Sequence, residues 1–425
     1  MDARLTDQAA DMAMATLTDQ ARQACRQMYQ SSHDQRNAAL LHTAHLIETS
    51  SDALLAANLK DIVAGTEGGL TKAFIDRLTL TPERIKDIAR GLRVIAELDD
   101  PVGVEMARWS QPNGLDISRV STPLGVLGVI FESRPNVTVD AAGLAIKSAN
   151  SVILRGGSDS FHSATMLGQL IQEGLIAADL PPNTVQVIDK VDRAMVGAML
   201  RAQGGIDVIV PRGGRSLVER VQREAKVPVF AHLEGICHIY IDKDADPKKA
   251  VPVVVNAKMR RTGICGAAET LLIDKPLLHS LWPEIAAALR EAGCEIRGDA
   301  EAKSACPWIS TATDDDYGHE FLDAIIAVKV VDGVNAAIQH IRTHGSDHTE
   351  SIITENSKTS DQFIHEIDSS IVMINASTQF ADGGEFGMGA ELGIATGRIH
   401  ARGPVSINQL TCFKYIVRGD GQTRP

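Results

Sequence analysis

Apolar positions recur at intervals of three and four through LLHTAHLIE, DALLAANLKDIV and RIKDIARGLRVIAEL, so residues 5–98 are predicted to be helical. Thr81-Pro82-Glu83 supplies an N-cap hydroxyl, a proline suited to the first helical position and an acid in the first turn, and Asp99-Asp100-Pro101 ends the helix it starts. From Val102 to Val120 the pattern shortens to extended runs around Gln111-Pro112-Asn113-Gly114. Asn and Gly both tolerate positive φ, so this is a hairpin signal. Such a hairpin is either surface decoration or an oligomer arm with unpaired edges.

After Pro123 the pattern changes again. Continuous apolar runs at 125–131, 151–154, 184–188, 206–210 and 227–230 alternate with helical text such as FHSATMLGQLIQEGLIAA and SLVERVQREA. Uninterrupted apolar strands spaced by helices mean parallel strands covered on both faces. A second series follows Cys237, with CHIYID, ETLLID, AIIAVKVVD, ESIIT and SIVMIN separated by helices near 247–260, 276–292, 334–342 and 358–367. The expected fold class is α/β, with two doubly wound α/β domains in tandem and a small β module. The glycine-rich segment from Ala376 to Pro404 has little periodicity, and a loop of that length inside a compact domain is usually functional or disordered. Its embedded aromatics argue against disorder.

Composition fits this layering. Hydrophobic residues make up 44% and charged residues 23%, ordinary for a soluble globular chain, while aromatics are only 4% against 35 glycines. Net charge is −12, from 42 Lys+Arg against 54 Asp+Glu. A field of that sign repels nucleic-acid backbones and anionic membranes, so neither is an expected partner. Six cysteines (Cys25, Cys237, Cys265, Cys294, Cys306, Cys412) lack CxxC spacing or nearby histidine pairs, which signals neither disulfides nor a zinc site. The first twenty residues carry early acids and no apolar core, so a secretory signal is not expected, and no run reaches the 18 or more apolar residues of a membrane span. A cytoplasmic location is expected.

Three places could carry chemistry. ILRGGSDS (153–160) and IVPRGGRS (209–216) each follow an apolar run with Arg, Gly-Gly and a helix start. Each reads either as an anion cradle at a helix N-terminus or as a tight turn that needs left-handed glycine. Neither matches GxGxxG or a Walker loop. Cys265 stands in Arg260-Arg261-Thr262-Gly263-Ile264-Cys265-Gly266, between a helix and a strand, with glycines on both sides. Cationic neighbours favour thiolate, the nucleophilic form, although a lone cysteine in such a loop can also be structural. The dispersed histidines include no HExxH, and His232, His238 and His400 read as structural.

The long motifs GVLGVIFESRPNVTVDAAGLAIKSANSVILRGG (125–157), NAKMRRTGICGAAETLL (256–272), STQFADGGEFGMGAELGIATGRIHARGP (377–404) and CFKYIVRGDG near the end resemble the γ-glutamyl phosphate reductase family, a branch of the aldehyde dehydrogenase superfamily. The resemblance implies an aldehyde dehydrogenase-like fold and NADPH-dependent reduction of L-glutamyl 5-phosphate to L-glutamate 5-semialdehyde, with no metal. It implies an NADPH-binding domain at 1–101 and 125–235, a catalytic domain at 236–404, and an oligomerisation module at 102–124 and 405–425. Cys265 takes the nucleophile position and Asn136 the catalytic oxyanion region, with Ser133 and Arg134 beside it as substrate contacts. Arg155, Gly156, Gly157, Ser158, Arg212, Gly213, Gly214 and Glu320 fall on cofactor positions. Many relatives have Lys where this chain has Ser158. Arg398 and Arg402 are expected to help grip the substrate, the alternative being that their loop pairs with a neighbouring subunit. A homo-oligomer and functional coupling to glutamate 5-kinase follow from the same resemblance. Two other readings stay open. A non-phosphorylating NAD(P)-dependent aldehyde dehydrogenase would oxidise aldehydes without phosphate, and a non-catalytic dinucleotide-binding protein would tolerate loss of Cys265.

Overall fold

The structure is a computed structural model that describes residues 5–189 and 192–424. Its first third is helical as the periodicity predicts, in Asp7–Gln30, His33–Thr49, Ser51–Glu67, Lys72–Leu78 and Pro82–Glu97. Thr81 caps the last of these by accepting the N–H of Arg84, with Pro82 in the first turn. These helices bury Leu40, Ile47, Leu92 and Ile95 in one core with the first parallel sheet.

That sheet has four parallel strands in the order Val185–Val187, Ser151–Gly156, Val126–Phe131, Val208–Arg212. The chain starts in Val126–Phe131, builds outward to one side, then crosses to the other. The order therefore reverses between Val126–Phe131 and Val208–Arg212, which opens a crevice at their C-terminal ends. The expected strand at 227–230 is reduced to a single bridge between Ile209 and Val229, because Pro228 has no N–H to continue a ladder. Helix Ala194–Arg201 is short and buries six consecutive positions from Met195 to Leu200.

The second sheet has seven parallel strands in the order Ser310–Thr311, Glu295–Gly298, Ile325–Val331, Ala268–Asp274, Cys237–Ile241, Thr349–Ile353, Ile371–Ile374. The five apolar runs of the sequence supply its centre. Glu295–Gly298 and Ser310–Thr311 extend one side and escape notice because they are short and half polar.

The hairpin strands Glu105–Ser110 and Asp116–Pro123 pair antiparallel, and the tail strand Thr411–Arg418 adds to the second of them. Only Gly114 in the hairpin turn has positive φ (87°), not Asn113. Pro112 fixes the turn in the ordinary type I hand and leaves the left-handed step to glycine. One face of this sheet leaves Phe413, Tyr415 and Val417 exposed, with Trp109 edge-on to Tyr415 at 6.1 Å.

The glycine-rich segment is ordered by contacts with both sheets. Leu392, Ala395, Ala401 and Val405 join the core of the four-stranded sheet, while Ile371, Met373, Ala381 and Ile394 form a small cluster against Cys265. No helix among the described residues is long and apolar enough to cross a membrane.

Candidate active site

Cys265 lies in the turn that joins helix Pro247–Met259 to strand Ala268–Asp274, at the N-terminal edge of the seven-stranded sheet. Gln379 donates from Nε2 to the carbonyls of Ala257 (2.9 Å) and Arg261 (3.0 Å), which ties the helix end to the glycine-rich segment. The Cys265 carbonyl accepts the Cys237 thiol at 3.1 Å. Gly235 passes so close that a Cβ on it would overlap this carbonyl and stand 2.6 Å from the Cys265 Cα. Glycine is needed there because two backbones touch.

Two imidazoles close on the thiol. A ring nitrogen of His232, a ring nitrogen of His348 and the Cys265 Sγ lie within 4.8 Å of one another, and the two rings meet edge to face at 4.9 Å. His232 Nδ1 stands 2.6 Å from the Ile394 carbonyl. A carbonyl only accepts, so Nδ1 carries the proton and Nε2 a lone pair. Burial pulls this histidine below its ordinary range and keeps the ring neutral. His348 is fully buried, with Nδ1 2.9 Å from Thr349 Oγ1 and no hydrogen-bond partner on Nε2 among the described residues.

Positive charge gathers on the same side. Arg134 is pushed down to about 10, first by burial and then by repulsion from Arg212, Arg77 and Arg261, while Cys265 favours its charged form. Among the described residues none of Arg134, Arg212 and Arg261 makes an ion pair, so this is an anion site by charge. Ser133, at φ 47°, turns the chain out of strand Val126–Phe131 and donates its hydroxyl to Asp159. Asn136 begins helix Asn136–Lys147 and donates one amide hydrogen to Asp140 at 2.9 Å, leaving the other. Nearby acids are engaged: Glu234 pairs with Arg215, and Glu320 accepts the Gly235 N–H at 2.8 Å, its pKa raised by burial.

The two glycine turns differ in what they leave open. At the start of helix Phe161–Ala177 the amides of His162 (3.0 Å) and Ser163 (2.8 Å) are both taken by the buried Asp61 carboxylate. Those two amides are therefore engaged by the chain itself. After Arg212 and Gly213, Glu132 accepts only the Gly214 N–H (3.1 Å); helix Arg215–Glu224 starts without a side-chain cap, and a Cβ on Gly214 would meet nothing within 4 Å. That helix end lies beside the sheet's crevice and suits a dinucleotide phosphate. None of the four glycines has positive φ, so the left-handed-turn explanation fails for both loops.

The aldehyde dehydrogenase family model matches residues 4–318. The γ-glutamyl phosphate reductase of Mesorhizobium japonicum is 57% identical over 97% of this chain and 96% of its own length, and that of Parvibaculum lavamentivorans is 56% identical over 95% and 96%. The crystal structure of γ-glutamyl phosphate reductase from Thermotoga maritima superposes with a TM-score of 0.95 at 40% identity, over 97% of this chain and all of that one. The chain belongs to the γ-glutamyl phosphate reductase family.

Of the residues this family pattern singles out, Cys265, Arg134 and Arg212 share one charged site, and Glu320 meets it through Gly235. Asn136 stands two residues beyond Arg134. Arg155 is buried between the charges of Asp159 and Asp192, and Ser158 is exposed. Arg398 and Arg402 both bind Asp368, Arg402 at 2.7 Å, two cations on one carboxylate. Sequence reasoning read His232 as structural and passed over His348. The available signal was placement: both stand in polar text just ahead of the buried strands Cys237–Ile241 and Thr349–Ile353.

Proposed function

We propose that this protein is an NADPH-dependent reductase that converts L-glutamyl 5-phosphate to L-glutamate 5-semialdehyde and phosphate through a thioester on Cys265, the second step of proline biosynthesis from glutamate. The observation that carries this reading is the pairing of a half-buried thiol with two imidazoles and a cluster of arginines that have no ion partner among the described residues. An acyl phosphate needs a nucleophile on its carbonyl carbon and positive charge on its leaving group. This site offers both.

His232 Nε2 accepts the thiol proton, and the Cys265 sulfur attacks the γ-carbonyl. The remaining amide hydrogen of Asn136 and the Arg134 guanidinium hold the developing oxyanion, while Arg212 and Arg261 stabilise the departing phosphate. The thioester must survive until it is reduced. Glu234, in the segment that loosely resembles the superfamily's water-activating base, is held by Arg215, which supports a thioester kept from hydrolysis. NADPH, when bound, supplies the hydride that reduces the thioester carbon. The open N-terminus of Arg215–Glu224, flanked by Arg212, would hold its phosphates, and Glu320 would hold a ribose.

By the same reading, residues 1–101 and 125–235 form the NADPH-binding domain, 236–404 the catalytic domain, and 102–124 with 405–425 the oligomerisation module. The exposed aromatic face of that module supports a homo-oligomer. Cytoplasmic location and coupling to glutamate 5-kinase, which would supply a labile acyl phosphate, complete the proposal. Phosphate-dependent NADP⁺ reduction by L-glutamate 5-semialdehyde tests it. The wild type should require phosphate and Cys265→Ala should be inactive; activity without phosphate, or activity retained in Cys265→Ala, overturns it.

A further inference from the structure

The geometry points to a reversible zinc site made by His232, Cys265 and His348, whose occupation withholds the nucleophile. The three residues are far apart in the sequence and no short spacing announces them, yet their ligand atoms lie within 4.8 Å of one another. Imidazole nitrogen and thiolate sulfur are the donors a borderline-soft divalent ion prefers, and three protein ligands with an open fourth position is a recurrent zinc arrangement.

Two observations beyond proximity support a ligand here. The first is His348 Nε2, completely buried and without a hydrogen-bond partner among the described residues. A buried polar atom left in that state costs about 1–3 kcal/mol, and a metal ion would relieve it. The second is the support behind each ring. His232 is held through Nδ1 by the Ile394 carbonyl (2.6 Å), and His348 through Nδ1 by Thr349 Oγ1 (2.9 Å). Outer partners of this kind orient ligating histidines; the carbonyl fixes the His232 tautomer with Nε2 free, and the Thr349 hydroxyl accommodates the same tautomer at His348. The Cys237 sulfur also lies 3.6 Å from His348 Nδ1, while its thiol is given to the Cys265 carbonyl.

A tetrahedral zinc ion asks for ligand atoms about 3.3–3.6 Å apart, so side-chain movements of about an ångström close the site. On binding, the Cys265 thiol releases its proton to solvent, sulfur and two nitrogens donate lone pairs, and water fills the fourth position. No electron moves. Coordination draws off the thiolate's charge and occupies its approach to a carbonyl, so the zinc-bound sulfur is a much weaker nucleophile.

The inference shares Cys265 with the reductase reading, and the two are separated by measuring metal binding without substrate or cofactor. Cobalt(II), a spectroscopic stand-in for zinc, is titrated into the full-length protein. One equivalent per chain should bind, with a thiolate-to-cobalt charge-transfer band and the visible bands of tetrahedral cobalt, and zinc should displace it. Cys265→Ser should abolish the charge-transfer band, and His232→Asn should weaken binding at least tenfold. His348→Ala should do the same; because its site is buried, wild-type protection supplies a readout that needs no variant. Zinc should slow iodoacetamide labelling of Cys265 at least tenfold, and a chelator should restore it. Cobalt binding that survives Cys265→Ser, or labelling that zinc leaves unchanged, overturns the proposal, whatever the reductase assay shows.

Discussion

Gly235 and Cys265 touch through their backbones, with no room for a side chain on the glycine. The nucleophile's position is therefore set from below by a residue with no chemistry of its own. Gly235→Ala should move the Cys265 turn by about an ångström and lower kcat about 100-fold. Steady-state kinetics with circular dichroism as a control for folding checks this; near-normal kcat would mean that the turn tolerates displacement.

Arg134 sits among like charges that Cys265 partly offsets. Arg134→Met keeps its bulk and removes its charge. In the phosphate-dependent oxidation of semialdehyde, kcat should fall by about 100- to 1,000-fold with KM for phosphate little changed, while Cys265 remains reactive to iodoacetamide. An unchanged kcat would assign the oxyanion to other donors.

Burial pushes the Asp140 carboxyl up to about 6 from its ordinary 3.8. The folded state thus binds a proton that the unfolded state releases. The stability contributed by the protonated acid is complete below about pH 4 and is lost as pH rises through about 6. Asp140→Asn, which never ionises, should melt above the wild type at about pH 8, with the gap closing below about pH 4. Equal melting temperatures across this range would remove the argument.

On the module built from the hairpin and the tail strand, Phe413, Tyr415 and Val417 expose apolar surface on one face. Replacing Tyr415 and Val417 together by Glu should shift the protein to a smaller assembly in light scattering, since burying two unpaired carboxylates costs several kcal/mol. If the assembly size stays the same, subunits meet elsewhere.

Much of this architecture was legible in the sequence, for identifiable physical reasons. Thr81-Pro82-Glu83 carries its cap, its fixed φ and its acid within three residues, and the central strands announce themselves by being buried on both faces. Helix Ala194–Arg201 was hidden by burial on all sides, and Pro228 broke a strand that hydropathy alone would extend. Cys265 could be singled out because glycines and arginines adjoin it in the chain. His348 could not, because only the alignment of strand Thr349–Ile353 beside Cys237–Ile241 brings it to the thiol. The two glycine turns look alike in the sequence and differ in the structure. Arg155-Gly156-Gly157 reads like Arg212-Gly213-Gly214, yet Asp61, nearly a hundred residues upstream, caps the helix behind the first and leaves the second open.

The central claim is that the glutamyl group passes through the Cys265 sulfur, and a single turnover without phosphate tests it most directly. Enzyme mixed with L-glutamate 5-semialdehyde and NADP⁺, quenched and digested for mass spectrometry, should show one equivalent of NADPH per active site and a glutamyl thioester on the Cys265 peptide; phosphate added before the quench should discharge the thioester as L-glutamyl 5-phosphate and let NADPH formation continue. Continuous NADPH formation without phosphate, or an acyl group on any other residue, would contradict the account.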